Sequence, residues 1–165
     1  MFVVIKKRDL LALGLLLTGI TLFQLALWQG RETVAVSGSL RAEAARAFRE
    51  MADQAREDGV TLRSVSAYRS YASQKSTYNR YLRQNSQKTT DTFSARPGHS
   101  EHQTGLALDI NVASTRARFE DTPAYAWLQE HCAQYGFILR YPQGKSEITG
   151  YRFEPWHYGY VGVEA

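Results

Sequence analysis

Residues 100–112 read Ser-Glu-His-Gln-Thr-Gly-Leu-Ala-Leu-Asp-Ile-Asn-Val, and the second half of that stretch decides the fold class. Leu106, Leu108, Ile110 and Val112 recur at every second position, with Ala107, Asp109 and Asn111 between them. A period of two puts the first set on one side of an extended chain and the second on the other. The stretch predicts a strand with one buried apolar face and one small, polar face. Gly105 lets the chain turn tightly between the preceding loop and that strand.

Working outward, Ser39 is the expected N-cap of a helix whose stripe is Leu40, Ala44, Phe48, Met51 and Ala55, ended by Gly59. Residues 61–68 read as a strand, and a second helix begins at Ser70 or Ser73 and runs through Tyr78, Tyr81 and Leu82. Residues 86–101 are polar and contain Pro97 and Gly98, which reads as a loop. Thr122 and Pro123 are cap and first-turn residues of a third helix closed by Gly136. Residues 137–141 form a further strand, and residues 151–153 and 158–163 form a terminal hairpin or paired strands. Helices and strands mix without a βαβ rhythm. The expected class is therefore α+β, a small, mostly antiparallel sheet flanked by helices.

The chain of 165 residues has room for one domain, and part of it is not domain. Leu10–Trp28 carries no charge over 19 residues and follows Lys6, Lys7 and Arg8. As a helix it would be roughly 28 Å long, close to the thickness of a bilayer core. The basic flank predicts a single-pass anchor with everything after Trp28 outside the cell membrane. Small residues Ala35 and Ser37 leave open a signal peptide cleaved to release a secreted protein. The expected division is 1–30 flank and anchor, 31–38 linker and 39–165 folded domain. Lys plus Arg number 20 and Asp plus Glu 16; setting aside Lys6, Lys7, Arg8 and Asp9 takes these to 17 and 15. That small excess gives no case for a nucleic-acid partner. The single Cys132 excludes an intrachain disulfide and reads as a buried thiol.

Asp109 stands between Leu108 and Ile110, where a carboxylate is costly unless its charge meets a partner. A metal ion on that face would serve both it and His102. Taken alone, the stretch also reads as a solvated strand aspartate and a surface histidine. A second piece, Glu154-Pro155-Trp156-His157, reads either as an aromatic core cluster or as chemistry. Pro155 cannot donate to a ladder, and a bend there would turn Glu154 and His157 into one cleft. A histidine ligand beside a free carboxylate is what metal-assisted hydrolysis needs, and two histidines with one carboxylate suit zinc. Trp156 is expected behind His157, fixing its ring, and His99 is expected in solvent.

Ser100 to Asp109 resembles the Ser-x-His-x-x-Gly-x-Ala-x-Asp signature of VanY-type D-alanyl-D-alanine carboxypeptidases, and Glu154–His157 resembles their Glu-x-x-His signature. Ser66-Ala67-Tyr68-Arg69-Ser70 with Gln74, and Tyr135 to Pro142, are similar to the same family. The chain departs from it at Gly159, where members often carry arginine.

The resemblance implies the fold shared by D-alanyl-D-alanine peptidases and the Hedgehog signalling domain. It implies one Zn2+ per chain on His102, Asp109 and His157, with Glu154 as general base and then acid. It also implies Arg69 at the oxyanion, and Ser100, Gln74 and Arg69 on the substrate. The expected activity is removal of the C-terminal D-alanine from peptidoglycan stem peptides outside the membrane. Three alternatives stay open: an L,D-carboxypeptidase, a D-Ala-D-Ala dipeptidase, and a non-catalytic zinc module that binds the wall.

Overall fold

The computed structural model describes residues 39–112 and 117–163. The uncharged run 10–28, its basic flank and the linker 31–38 lie outside the described residues. Among the described residues no helix is long and apolar enough to cross a membrane.

Four short strands, β1 (Arg63–Ser66), β2 (Ala107–Asn111), β3 (Phe137–Leu139) and β4 (His157–Tyr160), form one sheet in the order β1-β2-β4-β3. Every neighbouring pair is antiparallel, as the expected α+β class requires. Helix α1 (Ala42–Glu57) lays Ala44, Phe48, Met51 and Ala55 into the core. There Phe48, Met51 and Ala55 meet Leu108 and Ile110 of β2, Phe137 of β3, Tyr158 of β4 and Leu128 of α4 (Pro123–His131). The apolar half of the alternating stretch is thus sealed beneath α1. That leaves Asp109, the odd-numbered residue between two fully buried ones, on the opposite face of the sheet.

Several boundaries differ from expectation, each for a nameable reason. Helix α1 starts at Ala42, and Ser39 is not its cap. Arg41 is held extended instead, because its N–H donates to the Gly105 carbonyl at 2.9 Å and its guanidinium to the Thr104 carbonyl at 3.2 Å. Gly105 could not be replaced cheaply: its φ is +71°, and an added Cβ would lie 3.3 Å from the Arg41 nitrogen. β1 is only four residues long and carries a bulge between Ser64 and Ser66. Beyond it the backbone leaves the ladder, with the Ala67 carbonyl accepting from a histidine ring and the Arg69 N–H donating to the His102 carbonyl at 3.1 Å.

Helix α2 (Tyr71–Leu82) is capped by Ser70, whose hydroxyl accepts from the Ser73 N–H. The expected loop after it contains a one-turn helix, α3 (Gln87–Thr90), because Ser86 caps it from the Thr89 N–H. Thr122 caps α4 as the sequence predicts. A 3-10 turn, Cys132–Tyr135, then extends it to Gly136. Residues 151–153 form no strand. Their neighbourhood spends its donors on loop carbonyls, Arg152 N–H to Thr92 and Glu154 N–H to Tyr141, ahead of a proline that has none to give.

Candidate active site

The ladder itself makes the centre. Asp109 on β2 and His157 on β4 are direct cross-strand partners, and a 3-10 turn, Glu101–Thr104, brings His102 up beside them. The His157 Nδ1 stands 3.1 Å and the His102 Nε2 3.4 Å from the Asp109 Oδ1. One ligand atom from each of the three residues lies within 4.8 Å of the others. Tetrahedral ligands about 2.1 Å from a zinc ion stand roughly 3.4 Å apart, so the spacing and the two-imidazole, one-carboxylate donor set fit that metal.

Each ring is oriented from behind. The His102 Nδ1 donates to the Ala67 carbonyl at 2.6 Å, which turns its Nε2 lone pair inward. The His157 Nε2 lies 3.2 Å from the Glu101 Oε2, which leaves Nδ1 facing Asp109. Glu101 is itself gripped by Arg140, from Nε at 2.8 Å and from the terminal nitrogen at 2.5 Å. Burial raises the Glu101 carboxyl, but the His157 and Arg140 bonds and charges outweigh it and hold the group at about 2. Burial likewise raises Asp109, and the hydrogen bonds from both imidazoles bring it well below the usual carboxylate range. Burial lowers His157, and Asp109 and Glu101 lift it to about 9.

Glu101 and Arg140 were not singled out in the sequence. They are 39 residues apart, and Glu101 reads there as a turn residue beside a ligand. A signal was present at Gly159, the departure from the family pattern. A Cβ at Gly159 would lie 2.8 Å from the Arg140 Cδ and 3.0 Å from its Cγ. The bare backbone at Gly159 is the floor over which the Arg140 stem runs to reach Glu101. Glu101→Ala should therefore free the His157 ring and strip Arg140 of its carboxylate. Metal affinity, read by competition with a chromophoric chelator, is expected to fall about 10- to 100-fold. An unchanged affinity would show the bond to be idle.

Residues Glu154 to His157 form a β-turn closed by the His157 N–H donating to the Glu154 carbonyl at 3.2 Å, with Pro155 at its second position. The turn points Glu154 into the same cleft as the three ligands. Burial pushes the Glu154 carboxyl up to about 7; the His157 charge opposes this and the Asp109 charge adds to it. The ring that lies against His157 is Tyr141, with centroids 5.0 Å apart, and His102 packs edge-on from the other side at 4.9 Å. Trp156 does not fix that ring. It is 37% exposed and forms part of the cleft wall.

The cleft has a volume of about 300 Å³ and gathers Arg69, Gln74 and Ser100 with the residues already named. Arg69 donates to the Gln74 Oε1 at 3.0 Å and to the Ser66 Oγ at 3.1 Å. Gln74 is 1% exposed, and its amide nitrogen donates to the Ala95 carbonyl at 2.6 Å. Its amide oxygen thus holds Arg69 from behind, and Gln74 itself lines the cleft. His99 is exposed and takes no part, and Cys132 is a buried thiol raised by that burial.

The family model described as VanY, D-alanyl-D-alanine carboxypeptidase, matches residues 37–163. A D-alanyl-D-alanine carboxypeptidase of Enterococcus faecalis (strain ATCC 700802 / V583) is 40% identical over 127 residues, which are 72% of this chain and 47% of that protein. The chain spans about half the length of the curated relatives it matches. Among solved structures, the LdcB LD-carboxypeptidase superposes with a TM-score of 0.71 at 41% identity, over 76% of this chain and 60% of that one. A mutant of the vancomycin-resistance D,D-pentapeptidase VanY, solved in complex with Zn(II), gives 0.68 at 34% identity, over 80% and 82%.

Proposed function

The chain belongs to the VanY family of D-alanyl-D-alanine carboxypeptidases, and from that premise we propose that it is a zinc-dependent D,D-carboxypeptidase acting on peptidoglycan stem peptides. The observation that carries the reading is the Glu154 carboxyl, outside the ligand triad but in one cleft with the His102, Asp109 and His157 ligand atoms. A binding module has no use for an uncommitted base beside a metal centre.

His102, Asp109 and His157 would hold the zinc ion, which when bound supplies Lewis acidity towards water and a peptide carbonyl. Ser100 holds the substrate's terminal carboxylate. Glu154 takes the proton of the attacking water as its oxygen bonds to the carbonyl carbon. It then returns that proton to the departing nitrogen as the C–N bond breaks, which gives a shortened peptide carboxylate and free D-alanine. Arg69, fixed by Gln74 and Ser66, faces the negative charge that develops on the carbonyl oxygen.

The likeness to LdcB favours a second reading with the same chemistry, cleavage of an L,D bond in the tetrapeptide. The uncharged run at residues 10–28 and its basic flank support placing the domain on the outer face of a bacterial membrane, or secreted after signal cleavage. Mass spectrometry of penta- and tetrapeptide stems incubated with the protein tests all of this. The expected result is loss of one alanine from the pentapeptide, stopped by a chelator and restored by zinc. Loss from the tetrapeptide alone would transfer the assignment to the L,D reading. Binding of both with neither shortened, at full zinc occupancy, would overturn the enzyme.

A further inference from the structure

The cleft does not stop at the metal centre. It continues along α2, whose Gln74, Thr77 and Tyr81 share one face and whose Arg80 borders it. From Gln74 to Arg80 the helix rises about 9 Å. On the facing wall Arg152 lies over the Phe93 ring, its guanidinium carbon 4.1 Å from the centroid. Phe93 meets Tyr81 edge-on at 5.0 Å, and Arg80 lies over Tyr81 at 5.3 Å. Guanidinium, ring, ring and guanidinium thus form one chain of contacts, and both cations line the cleft. A ring contact of this kind does not use up a guanidinium's N–H donors, which remain able to bond an anion.

Among the described residues neither Arg80 nor Arg152 has a carboxylate partner. The nearby Asp91 is already engaged. It accepts from Arg96 at 2.6 and 3.2 Å and from the Tyr78 hydroxyl at 2.6 Å. Arg152 is also held at its backbone, where its N–H donates to the Thr92 carbonyl at 2.9 Å. Arg152 feels the Glu154 charge across the cleft but makes no ion pair with it. Two positioned cations without an ion-pair partner among the described residues, lining the same cleft as the metal ligands, call for an anion on the substrate.

We infer that Arg80 and Arg152 form a subsite for a carboxylate carried by the substrate residue two places before its C-terminus. The distance supports that position: Gln74 fixes Arg69 at the scissile carbonyl, and from there one backbone step of about 3.3–3.6 Å together with the length of an acidic side chain spans the rise of about 9 Å to Arg80. This rests on the carboxypeptidase reading, because the direction of the substrate is taken from it. The class of substrate selected is a peptide with an acidic or dicarboxylic residue at that place, over one with an uncharged or amidated residue.

The test uses the full chain, zinc-loaded and carrying Glu154→Ala so that the peptide is not turned over. Calorimetry compares acetyl-L-Glu-D-Ala-D-Ala with acetyl-L-Gln-D-Ala-D-Ala, which differ only in the charge at that residue. The glutamyl peptide is expected to bind about 10-fold tighter at low salt, the size of one well-made charged hydrogen-bonded contact. That preference should shrink to within about 2-fold at high ionic strength. It should shrink equally when Arg80→Gln and Arg152→Gln are added. The salt series needs no substitution in the subsite, so it decides the matter even if the double variant folds poorly. Equal affinity for the two peptides in the intact cleft would overturn the inference. So would a double variant that loses both peptides equally, since the arginines would then be gripping the terminal carboxylate the peptides share. Turnover of the same peptides by the unsubstituted protein is read separately, so failure of hydrolysis removes the enzyme reading while the affinity ratio still decides the subsite.

Discussion

Glu154→Gln is expected to lower kcat about 1,000-fold, with zinc content and KM close to those of the unsubstituted protein. Glutamine keeps the volume and the hydrogen-bonding reach of the side chain but cannot take a proton. The loss should fall on the chemical step because Glu154 is absent from the ligand triad and its backbone, not its carboxyl, closes the turn. The pH profile gives a second reading of the same group. Burial sets the carboxyl at about 7, and a dication beside it draws the value down. Only the ionised form accepts a proton. Activity of the unsubstituted protein should therefore fall about tenfold for each pH unit below that pKa, on a limb the glutamine variant lacks. A glutamine variant that retains a tenth of the activity would remove Glu154 from the mechanism.

Asp109→Ala should weaken zinc binding by about 100- to 1,000-fold, since one ligand carries roughly 3–4 kcal/mol of an apparent binding energy of about 10–16 kcal/mol. The carboxylate is the shared point of the centre, the atom both imidazoles face. In the unsubstituted protein the affinity should also depend on pH with a definite sign. His157 is raised to about 9, so below that value a proton and a dication compete for its Nδ1. Affinity is expected to climb about tenfold per pH unit between 6 and 8. Chelator competition at three pH values measures it. A flat dependence would mean that His157 is not a ligand.

Much of this centre was legible before any coordinates. The alternation from Leu106 to Val112 set Asp109 apart from its apolar neighbours, and Pro155 announced the turn that aims Glu154 and His157. What sequence could not supply was the set of contacts between segments. Ser39 lost its capping role because Arg41 is held by a backbone bond to Gly105, a residue 64 positions further along the chain. Tyr141 took the place expected of Trp156 because β3 ends just before it and delivers its ring to His157. Glu101 points at a histidine 56 residues along the chain, and adjacency to His102 concealed that link. Local patterns report which face a side chain occupies. They do not report which distant side chain shares it.

The ion pair across the two central strands has one more consequence. Among the described residues no buried side-chain nitrogen or oxygen lacks a hydrogen-bond partner, and Asp109 and His157 meet across the ladder at 3.1 Å. The contact that aims two ligand atoms at one point thus also fastens β2 to β4, so displacing either side chain loosens the sheet together with the centre.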